Sequence, residues 1–205
     1  MKLKPMSRDR LREIYETEIL CDFPPAERKP LKAMEQLRED GRYLPYEALD
    51  DDGGFVGYAL LWRSHPETVL LLDYLGVTKS KRSSGIGSQI LRLLQEEFPQ
   101  WQGLLMESEA PDGGKDDAAQ RRRLDFYRRN GCRELSYDTW IFGVHYKVFS
   151  LTKKPTDERS LQLAHQEIYH AYFTAEQRAQ CIRIPFDPAR EAPPAMDWNG
   201  VRHDI

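Results

Sequence analysis

One segment, residues 68–98, constrains the fold more than any other part of this sequence. It opens with the most apolar run of the chain, Thr68–Val77, which predicts a buried central strand. A basic loop follows and contains Gly85 and Gly87. Beyond the loop, apolar side chains recur at helical spacing as far as Phe98, which predicts an amphipathic helix. We therefore expect a strand–loop–helix unit whose glycines lie at the start of the helix.

The loop of this unit has the chemistry of an anion-binding site. Glycine lets a ligand approach the backbone where a Cβ atom would clash. The unpaired N–H groups and the positive dipole end at a helix start attract phosphate. Lys79, Lys81 and Arg82 add positive charge to the loop. A phosphate or pyrophosphate ligand is therefore one interpretation, and glycines that only cap the helix are the other.

Two common nucleotide-binding motifs do not fit this loop. A dinucleotide-binding fingerprint has the form GxGxxG directly after the strand, but Ile90 occupies the third glycine position here. The Walker A pattern GxxxxGK[ST] does not occur in the sequence. The spacing therefore argues against both motifs and leaves the phosphate ligand unidentified at this point.

The remaining patterns predict a mixed α/β protein. Helical spacing and caps indicate helices over 7–19, 32–39, 116–130, 158–173 and 174–182. Strands are predicted over 43–49, 54–62 and 103–108, with two more between 132 and 151. Because the texture changes at Lys153, we divide the chain into a core domain of residues 1–152 and a C-terminal helical extension with an extended tail, residues 153–205.

Composition argues against several classes of protein. Lys and Arg number 30 against 33 Asp and Glu, a net charge of −3, whereas nucleic-acid binding through bulk charge needs a basic surface. The apolar runs are far shorter than the ~20 residues of a spanning helix. Cys21, Cys132 and Cys181 are too widely spaced for a disulfide framework or a cysteine zinc site. His165 and His170 are predicted to be solvated surface side chains. We expect a cytoplasmic protein without a metal, a nucleic-acid partner or a membrane segment.

Two motifs resemble the GCN5-related N-acetyltransferase (GNAT) family. The acetyl-CoA loop of that family has the pattern Q/R-x-x-G-x-G/A after the fourth strand, and residues 82–87 match it. The late helix of the family usually ends in F-Y-x-x-x-G-F, and residues 126–131 are similar to it, with Cys132 in place of the final aromatic residue. The order of predicted elements up to about residue 152 also fits the family.

The resemblance implies a fold and a co-substrate. The fold is a mixed, mostly antiparallel sheet that splays between its fourth and fifth strands, is flanked by helices and holds coenzyme A in the gap. Main-chain N–H groups of the loop would hold the pyrophosphate, and the strand before it would pair with the pantetheine arm. The implied cofactor-binding residues are Leu75, Val77, Arg82, Ser83, Ser84, Gly85, Ile86, Gly87 and Ser88. Acetyl-CoA is the implied co-substrate, with no metal.

The resemblance also implies an activity, the transfer of an acetyl group to a primary amine of a small molecule or a protein. Tyr127 occupies the position of the family's usual general acid, which protonates the departing thiolate, since a phenol can donate to a nascent thiolate. A packed aromatic ring is the alternative role for Tyr127. A non-catalytic acyl-CoA-binding sensor or interaction module is the alternative for the whole protein.

Three carboxylates are candidates for the remaining catalytic roles. Asp73 lies in the most apolar strand, at the parity where family bases commonly occur, so it is a candidate general base. A structural hydrogen bond to the backbone or to Tyr74 is its alternative role. Glu107 and Glu109 share one face of the next strand, where they would relay a proton through water or bind a cationic acceptor.

The predicted helix from residue 158 has an apolar face that must be covered. The apolar side chains at helical spacing on it are Leu161, Ile168, Tyr169 and Tyr172. Either the core or a second subunit can cover this face, so a homodimer is left open.

Overall fold

The computed structural model describes residues 1–64 and 69–191. Within these residues the strands are β1 (Lys2–Pro5), β2 (Tyr43–Leu49), β3 (Phe55–Arg63), β4 (Val69–Val77), β5 (Gly103–Glu109), β6 (Arg133–Ile141), β7 (Val144–Leu151) and β8 (Ile182–Phe186). The α-helices are α1 (Arg8–Ile14), α2 (Leu20–Asp22), α3 (Leu31–Glu39), α4 (Ile86–Glu97), α5 (Asp117–Arg129), α6 (Glu158–His170) and α7 (Ala175–Cys181). The strands form an eight-stranded sheet in the order β1-β2-β3-β4-β5-β7-β6-β8. The predicted mixed α/β fold class is confirmed.

The chain divides into two compact units. The first contains residues 1–63 and 72–101, and the second contains Ser64, residues 69–71 and everything described from residue 102 onward. Helices α6 and α7 and strand β8 therefore belong to the second unit. The division at residue 152 that the sequence suggests stays a prediction.

The first unit begins with an antiparallel arrangement of β1, β2 and β3. The predicted hairpin of β2 and β3 is present, and Tyr43 lies opposite Trp62 in its register. The predicted cap of the first helix is also present, because the Ser7 hydroxyl accepts a hydrogen bond from the Arg10 N–H at 3.1 Å. Helix α1 continues through a π-helical segment, Tyr15–Ile19, into α2, so the helical region extends three residues beyond the predicted end at 19.

The second unit pairs β5, β7, β6 and β8 antiparallel in that order. Helix α5 agrees with the predicted 116–130 to within one residue at each end. The sequence did not predict β8, since its pattern indicates the end of a helix and the start of an extended tail over these residues. Ile182 lies opposite Ile141 of β6, which shows that this segment is a fourth strand of the unit. The predicted tail beyond residue 191 lies outside the described residues.

The C-terminal helix α6 is covered within the chain itself. Leu161, Ile168 and Tyr169 are buried, as their spacing requires, and α6 contacts β5 and β8 of its own unit. The prediction for His165 was wrong, because its side chain is 0% exposed rather than solvated. It lies on the same buried face as Leu161, four residues along, where a histidine needs hydrogen-bond partners.

The three cysteines are free thiols that differ in exposure. Cys21 is exposed at the end of the first helical region, whereas Cys132 and Cys181 are buried. Burial disfavours the thiolate and raises the pKa of Cys132 to about 12 and that of Cys181 to about 11. Only the first of the three therefore offers a thiol to solvent.

Among the described residues, no helix combines the length and the apolar character that a membrane span requires.

Candidate functional site

Strand β4 alternates in burial along the part that belongs to the first unit. Asp73, Leu75 and Val77 are half-buried, whereas Tyr74 and Gly76 between them are buried. This is the alternation that the sequence predicted, since successive side chains of a strand point to opposite faces. The strand thus presents one carboxylate and two aliphatic side chains on its more accessible face.

The loop after β4 leaves backbone donors exposed at the start of α4. Ser83 has φ +63° and Gly85 has φ +86°, and Gly85 is the N-cap residue of α4 without a side-chain cap. The N–H groups of the first turn, residues 86–88, consequently lack the partners that later turns have. A Cβ atom at Gly85 would point into open space, because no atom lies within 4 Å of its position. This exposed cradle fits a pyrophosphate group.

Arg82 is held in this loop by two contacts. Its Nε donates to the Val77 carbonyl oxygen at 3.2 Å, and its Nη2 donates to Asp22 Oδ1 at 2.6 Å. Asp22 is the last residue of α2, so this ion pair connects the end of the first helical region to the loop. Lys79 and Lys81, in a 3₁₀ turn, supply exposed positive charge beside it.

A tyrosine packs tightly beneath the end of β4. A Cβ atom at Gly76 would lie 2.2 Å from the ring of Tyr58, so only glycine fits there. The Tyr58 hydroxyl is buried and has no hydrogen-bond partner among the described residues. Burial raises the pKa of Tyr58, and the charges of Asp22 and Glu18 raise it further. This phenol therefore stays neutral at any physiological pH.

Asp73 is engaged by two side chains that the sequence did not link to it. Lys29 Nζ donates to Asp73 Oδ2 at 2.6 Å, and the Tyr43 hydroxyl donates to the same oxygen. The Tyr74 hydroxyl instead accepts from the Lys29 backbone N–H and donates to the Glu27 carbonyl oxygen, each at 2.7 Å. The alternative role of Asp73 as a hydrogen-bond partner of Tyr74 is therefore not observed, and the carboxylate instead accepts from residues 29 and 43.

Tyr127 lies on α5 with its ring packed and its hydroxyl unpaired. The ring centroid lies 5.4 Å from that of Phe149 and 5.2 Å from that of Phe126. No described residue forms a hydrogen bond with the hydroxyl, and the residue is half-buried. Burial raises the pKa of Tyr127 above its ordinary value, and the Cys132 thiol adds to this effect. The phenol is therefore protonated and has no internal partner to occupy it.

Glu107 of β5 is enclosed by donors from β6 and α6. Thr139 donates to its Oε1 at 2.8 Å and Tyr169 donates to its Oε2 at 2.7 Å, while His165 Nε2 lies 3.2 Å from Oε1. The His165 Nδ1 lies 3.2 Å from the Tyr137 hydroxyl. Burial alone would raise the pKa of Glu107, but His165 and the two hydroxyl donors outweigh it and lower the pKa.

Glu109 differs from Glu107 chiefly in its partner, since both side chains are half-buried. It is half-buried and forms an ion pair with Arg123 of α5. The structure therefore gives the two glutamates separate environments, although the sequence placed them together. Within the described parts of the chain, no group of three or more His, Cys, Asp or Glu side chains is arranged to hold a metal ion.

Sequence patterns did not reveal the partners of these site residues. Lys29 is separated from Asp73 by 44 residues, and Tyr169 is separated from Glu107 by 62. No local periodicity reports contacts at such separations. The one available signal was an unexplained charge inside an apolar strand at Asp73, which requires a partner somewhere in the fold.

The middle of the chain matches a known family. Residues 45–134 match the family model described as acetyltransferase (GNAT) domain. These residues include β4, the 82–88 loop and all of α5, which carry the two motifs. This segment thus resembles a GNAT acetyltransferase domain, and the family resemblance drawn from the motifs is confirmed there. Among curated proteins, none matches this sequence significantly.

Solved structures share the fold at low sequence identity. A GNAT-family protein from Bacteroides thetaiotaomicron superposes with a TM-score of 0.68 at 17% identity, covering 84% of this chain and 98% of its own. A mutant spermidine N-acetyltransferase from Vibrio cholerae gives 0.55 at 12%, covering 74% and 93%. An aminoglycoside 6'-N-acetyltransferase complexed with coenzyme A gives 0.54 at 14%, covering 77% and 99%. This chain is similar to all three in fold.

Proposed function

We propose that the protein transfers the acetyl group of acetyl-CoA to a primary amine of a small molecule or a protein. The observation that carries this proposal is the exposed 82–88 loop, where uncapped N–H groups begin α4 beside Lys79 and Lys81. This loop lies inside the segment that matches the acetyltransferase model. Acetyl-CoA, when bound, supplies an activated acetyl thioester.

The loop residues have one task in this proposal, which is to hold the pyrophosphate. Backbone N–H groups of residues 82–88 donate to phosphate oxygens, and the dipole of α4 favours the negative charge. The open space above Gly85 leaves room for the phosphates. Leu75 and Val77 extend the binding surface along β4 through their backbone groups.

Tyr127 is the proposed general acid. Its raised pKa keeps the phenol protonated, and its hydroxyl has no partner among the described residues. It can therefore donate its proton to the departing thiolate, which is the role that the family resemblance assigns to this position. The Phe126 ring, which packs edge-on, and the tilted Phe149 ring fix the orientation of the phenol.

Asp73 is the proposed acceptor of the amine's proton. Both donors to this carboxylate converge on Oδ2, and no described residue donates to Oδ1. Glu107 has both oxygens engaged by the protein, and Glu109 is paired with Arg123. A proton relay or acceptor contact through these two glutamates therefore stays a prediction that ranks behind Asp73.

The named activities of two structural neighbours support an amine as the acceptor. Those neighbours are a spermidine N-acetyltransferase and an aminoglycoside 6'-N-acetyltransferase. Their acceptors are chemically different polyamines, which is why the proposal names a primary amine and no particular molecule.

Two measurements on the full-length protein test the proposal. Isothermal titration with coenzyme A measures binding, and a thiol reagent that detects released coenzyme A measures turnover of acetyl-CoA. The amine panel contains spermidine, an aminoglycoside, simple alkylamines, and peptides with a free N-terminus or a lysine. We expect binding and an amine-dependent release of coenzyme A. Binding without release for any amine would instead favour the acyl-CoA-binding module.

A further inference from the structure

The structure contains a buried lysine next to the proposed base. Lys29 is 2% exposed, and its Nζ donates to Asp73 Oδ2 at 2.6 Å. A lysine is almost never fully buried without a partner, because removing an ammonium group from water is costly. The position of Lys29 therefore depends on the carboxylate of Asp73, and the orientation of that carboxylate depends on Lys29.

Aromatic rings fix the ammonium group from other directions. Lys29 Nζ lies 3.9 Å from the ring centroid of Trp62 and 5.2 Å from that of Tyr43. Contacts at these distances attract a cation to the ring face. Tyr43 also donates its hydroxyl proton to Asp73 Oδ2, so the same ring contacts both members of the ion pair. The ammonium group and the carboxylate have little freedom to move separately.

The backbone at Lys29 is anchored independently of its side chain. Its N–H donates to the Tyr74 hydroxyl, which in turn donates to the Glu27 carbonyl oxygen. The Phe23 ring packs edge-on against the Tyr74 ring at 4.8 Å. Loss of the ammonium group should consequently leave the 23–30 segment attached to β4, which makes the role of the charge experimentally separable.

The two donors leave the carboxylate in an asymmetric state. Oδ2 accepts from both Lys29 and Tyr43, whereas no described residue donates to Oδ1. The Asp73 side chain retains 14% of its accessible surface, so one oxygen can meet a ligand. A carboxylate that is clamped by one oxygen presents the other in a fixed direction, which is what proton transfer from a bound amine requires.

We propose that Lys29 is the positioning residue for Asp73, clamping Oδ2 together with Tyr43 so that Oδ1 faces the acceptor amine. This inference rests on the proposed function. It assigns Lys29 no contact with substrate, since the ammonium group acts through the carboxylate of Asp73. It predicts that Lys29 matters for turnover only while Asp73 is present.

A double-mutant cycle on the full-length protein tests this dependence. Lys29→Met keeps a long unbranched side chain and removes the charge. With the acceptor found in the amine panel, we expect kcat to fall roughly tenfold to a hundredfold, since small misplacements of a catalytic group have costs of that size. Affinity for coenzyme A, measured by titration, should stay unchanged. Lys32→Met, at an exposed lysine of α3, is the matched control and should retain full turnover.

The decisive comparison uses the Asp73→Asn background. There, adding Lys29→Met should produce no further loss of kcat. Should Lys29→Met not fold, Tyr43→Phe removes only a hydroxyl donor to the same oxygen and must show the same dependence on Asp73. Equal losses with and without Asp73, or wild-type kcat in the single variants, would overturn the clamp while leaving the acetyltransferase intact. A wild-type protein that releases no coenzyme A with any amine would overturn both proposals.

Discussion

The start of α4 and the Glu107 carboxylate of β5 both carry polar groups that need hydrogen-bond partners, and these partners are supplied in opposite ways. At the start of α4 the backbone donors are exposed and have no side-chain cap. Around Glu107 the donors come from the protein, and the side chain is only 11% exposed. Exposed polar groups without hydrogen-bond partners can bind a ligand, whereas polar groups whose partners all come from the protein stabilise the fold. Variants of the first kind should change binding or rate, and variants of the second kind should change stability.

The largest effect should follow from removing α6, which supplies two of the three side chains around Glu107. Truncation before Lys153 deletes α6, and with it His165 and Tyr169, which contact this carboxylate. It also uncovers the surface that Leu161 and Ile168 bury, each worth about 1.5–3 kcal/mol. We expect an insoluble or unfolded product, assessed by expression yield and thermal melting. A soluble truncated protein with an unchanged Tm would contradict the structural role of α6.

The next largest effect should be a fall in kcat when the hydroxyl group of Tyr127 is removed. Tyr127→Phe keeps the stacked ring and removes only the hydroxyl, so folding and coenzyme A affinity should persist. Loss of a general acid typically lowers kcat by about 10²–10⁴-fold. Tyr137→Phe, which removes another phenol of the second unit, is the control for a general effect of losing a hydroxyl. Near-full kcat in the Tyr127 variant would remove this residue from the mechanism.

Glu107→Gln should separate stability from binding. The amide keeps the volume but cannot accept from all of the donors, and breaking a buried charged pair costs about 3–5 kcal/mol. Urea unfolding should show this loss while coenzyme A still binds. Glu109→Gln is the matched control, since a half-exposed ion pair is worth about 0–1 kcal/mol. Equal losses for the two variants would erase the distinction between them.

The same variant has a pH dependence whose sign is fixed. Because the folded-state pKa of Glu107 is lowered, its stabilisation is present above the unfolded value of about 4.3 and is lost as the pH falls through the folded value. The difference in unfolding free energy between wild type and Glu107→Gln should therefore shrink below about pH 4. A difference that stays constant down to pH 2 would contradict this assignment.

Gly85→Val, unlike Glu107→Gln, should lower the affinity for coenzyme A rather than the stability of the fold. The valine Cβ and its methyl groups would enter the open space that the phosphates need, so coenzyme A affinity should fall at least roughly tenfold, or about 1.4 kcal/mol. Gly113→Val is the matched control, because Gly113 also has a positive φ and open space around its Cβ position. Both variants carry similar backbone strain. If titration gives equal affinities for the two, the loop does not hold the phosphates.

The smallest effect should be the change in stability when the Tyr58 hydroxyl is removed, since this buried group has no hydrogen-bond partner among the described residues. Tyr58→Phe removes an unpaired group, so stability should rise or stay within about 1 kcal/mol of wild type. Tyr74→Phe removes a hydroxyl that makes two hydrogen bonds, and it should cost about 1–3 kcal/mol. Thermal melting of the pair measures the difference, and a larger loss at Tyr58 would reveal a partner for its hydroxyl.

Local pattern was enough to predict most of the secondary structure. The strand–loop–helix unit, the β2–β3 hairpin and α5 all appear where their periodicity and caps place them, because these signals act over a few residues. The helical extension Leu20–Asp22 and the strands β1 and β8 were not predicted. Strand β8 contains a proline and is defined by its pairing with β6, a contact that no short window of sequence contains.

The candidate site divides along the same line. Its backbone cradle follows from two glycines and a helix start, which are local. The environment of Asp73 depends on Lys29, and that of Glu107 depends on α6, so neither could be read from its own strand. The sequence indicates that an acid in an apolar strand requires a partner, but only the folded structure shows that this partner is Lys29. His165 was misjudged for the same reason, since its partners lie on other elements.

The uneven exposure of the cysteines has a practical consequence for following these proteins in solution. A thiol-selective dye should attach to Cys21 and spare the two buried thiols. The attachment point is the neighbour of Asp22, whose carboxylate holds Arg82 of the cofactor loop. One label per chain would then place a fluorophore beside the ion pair that cofactor phosphates would disturb, and its emission would report their arrival without any amine being known.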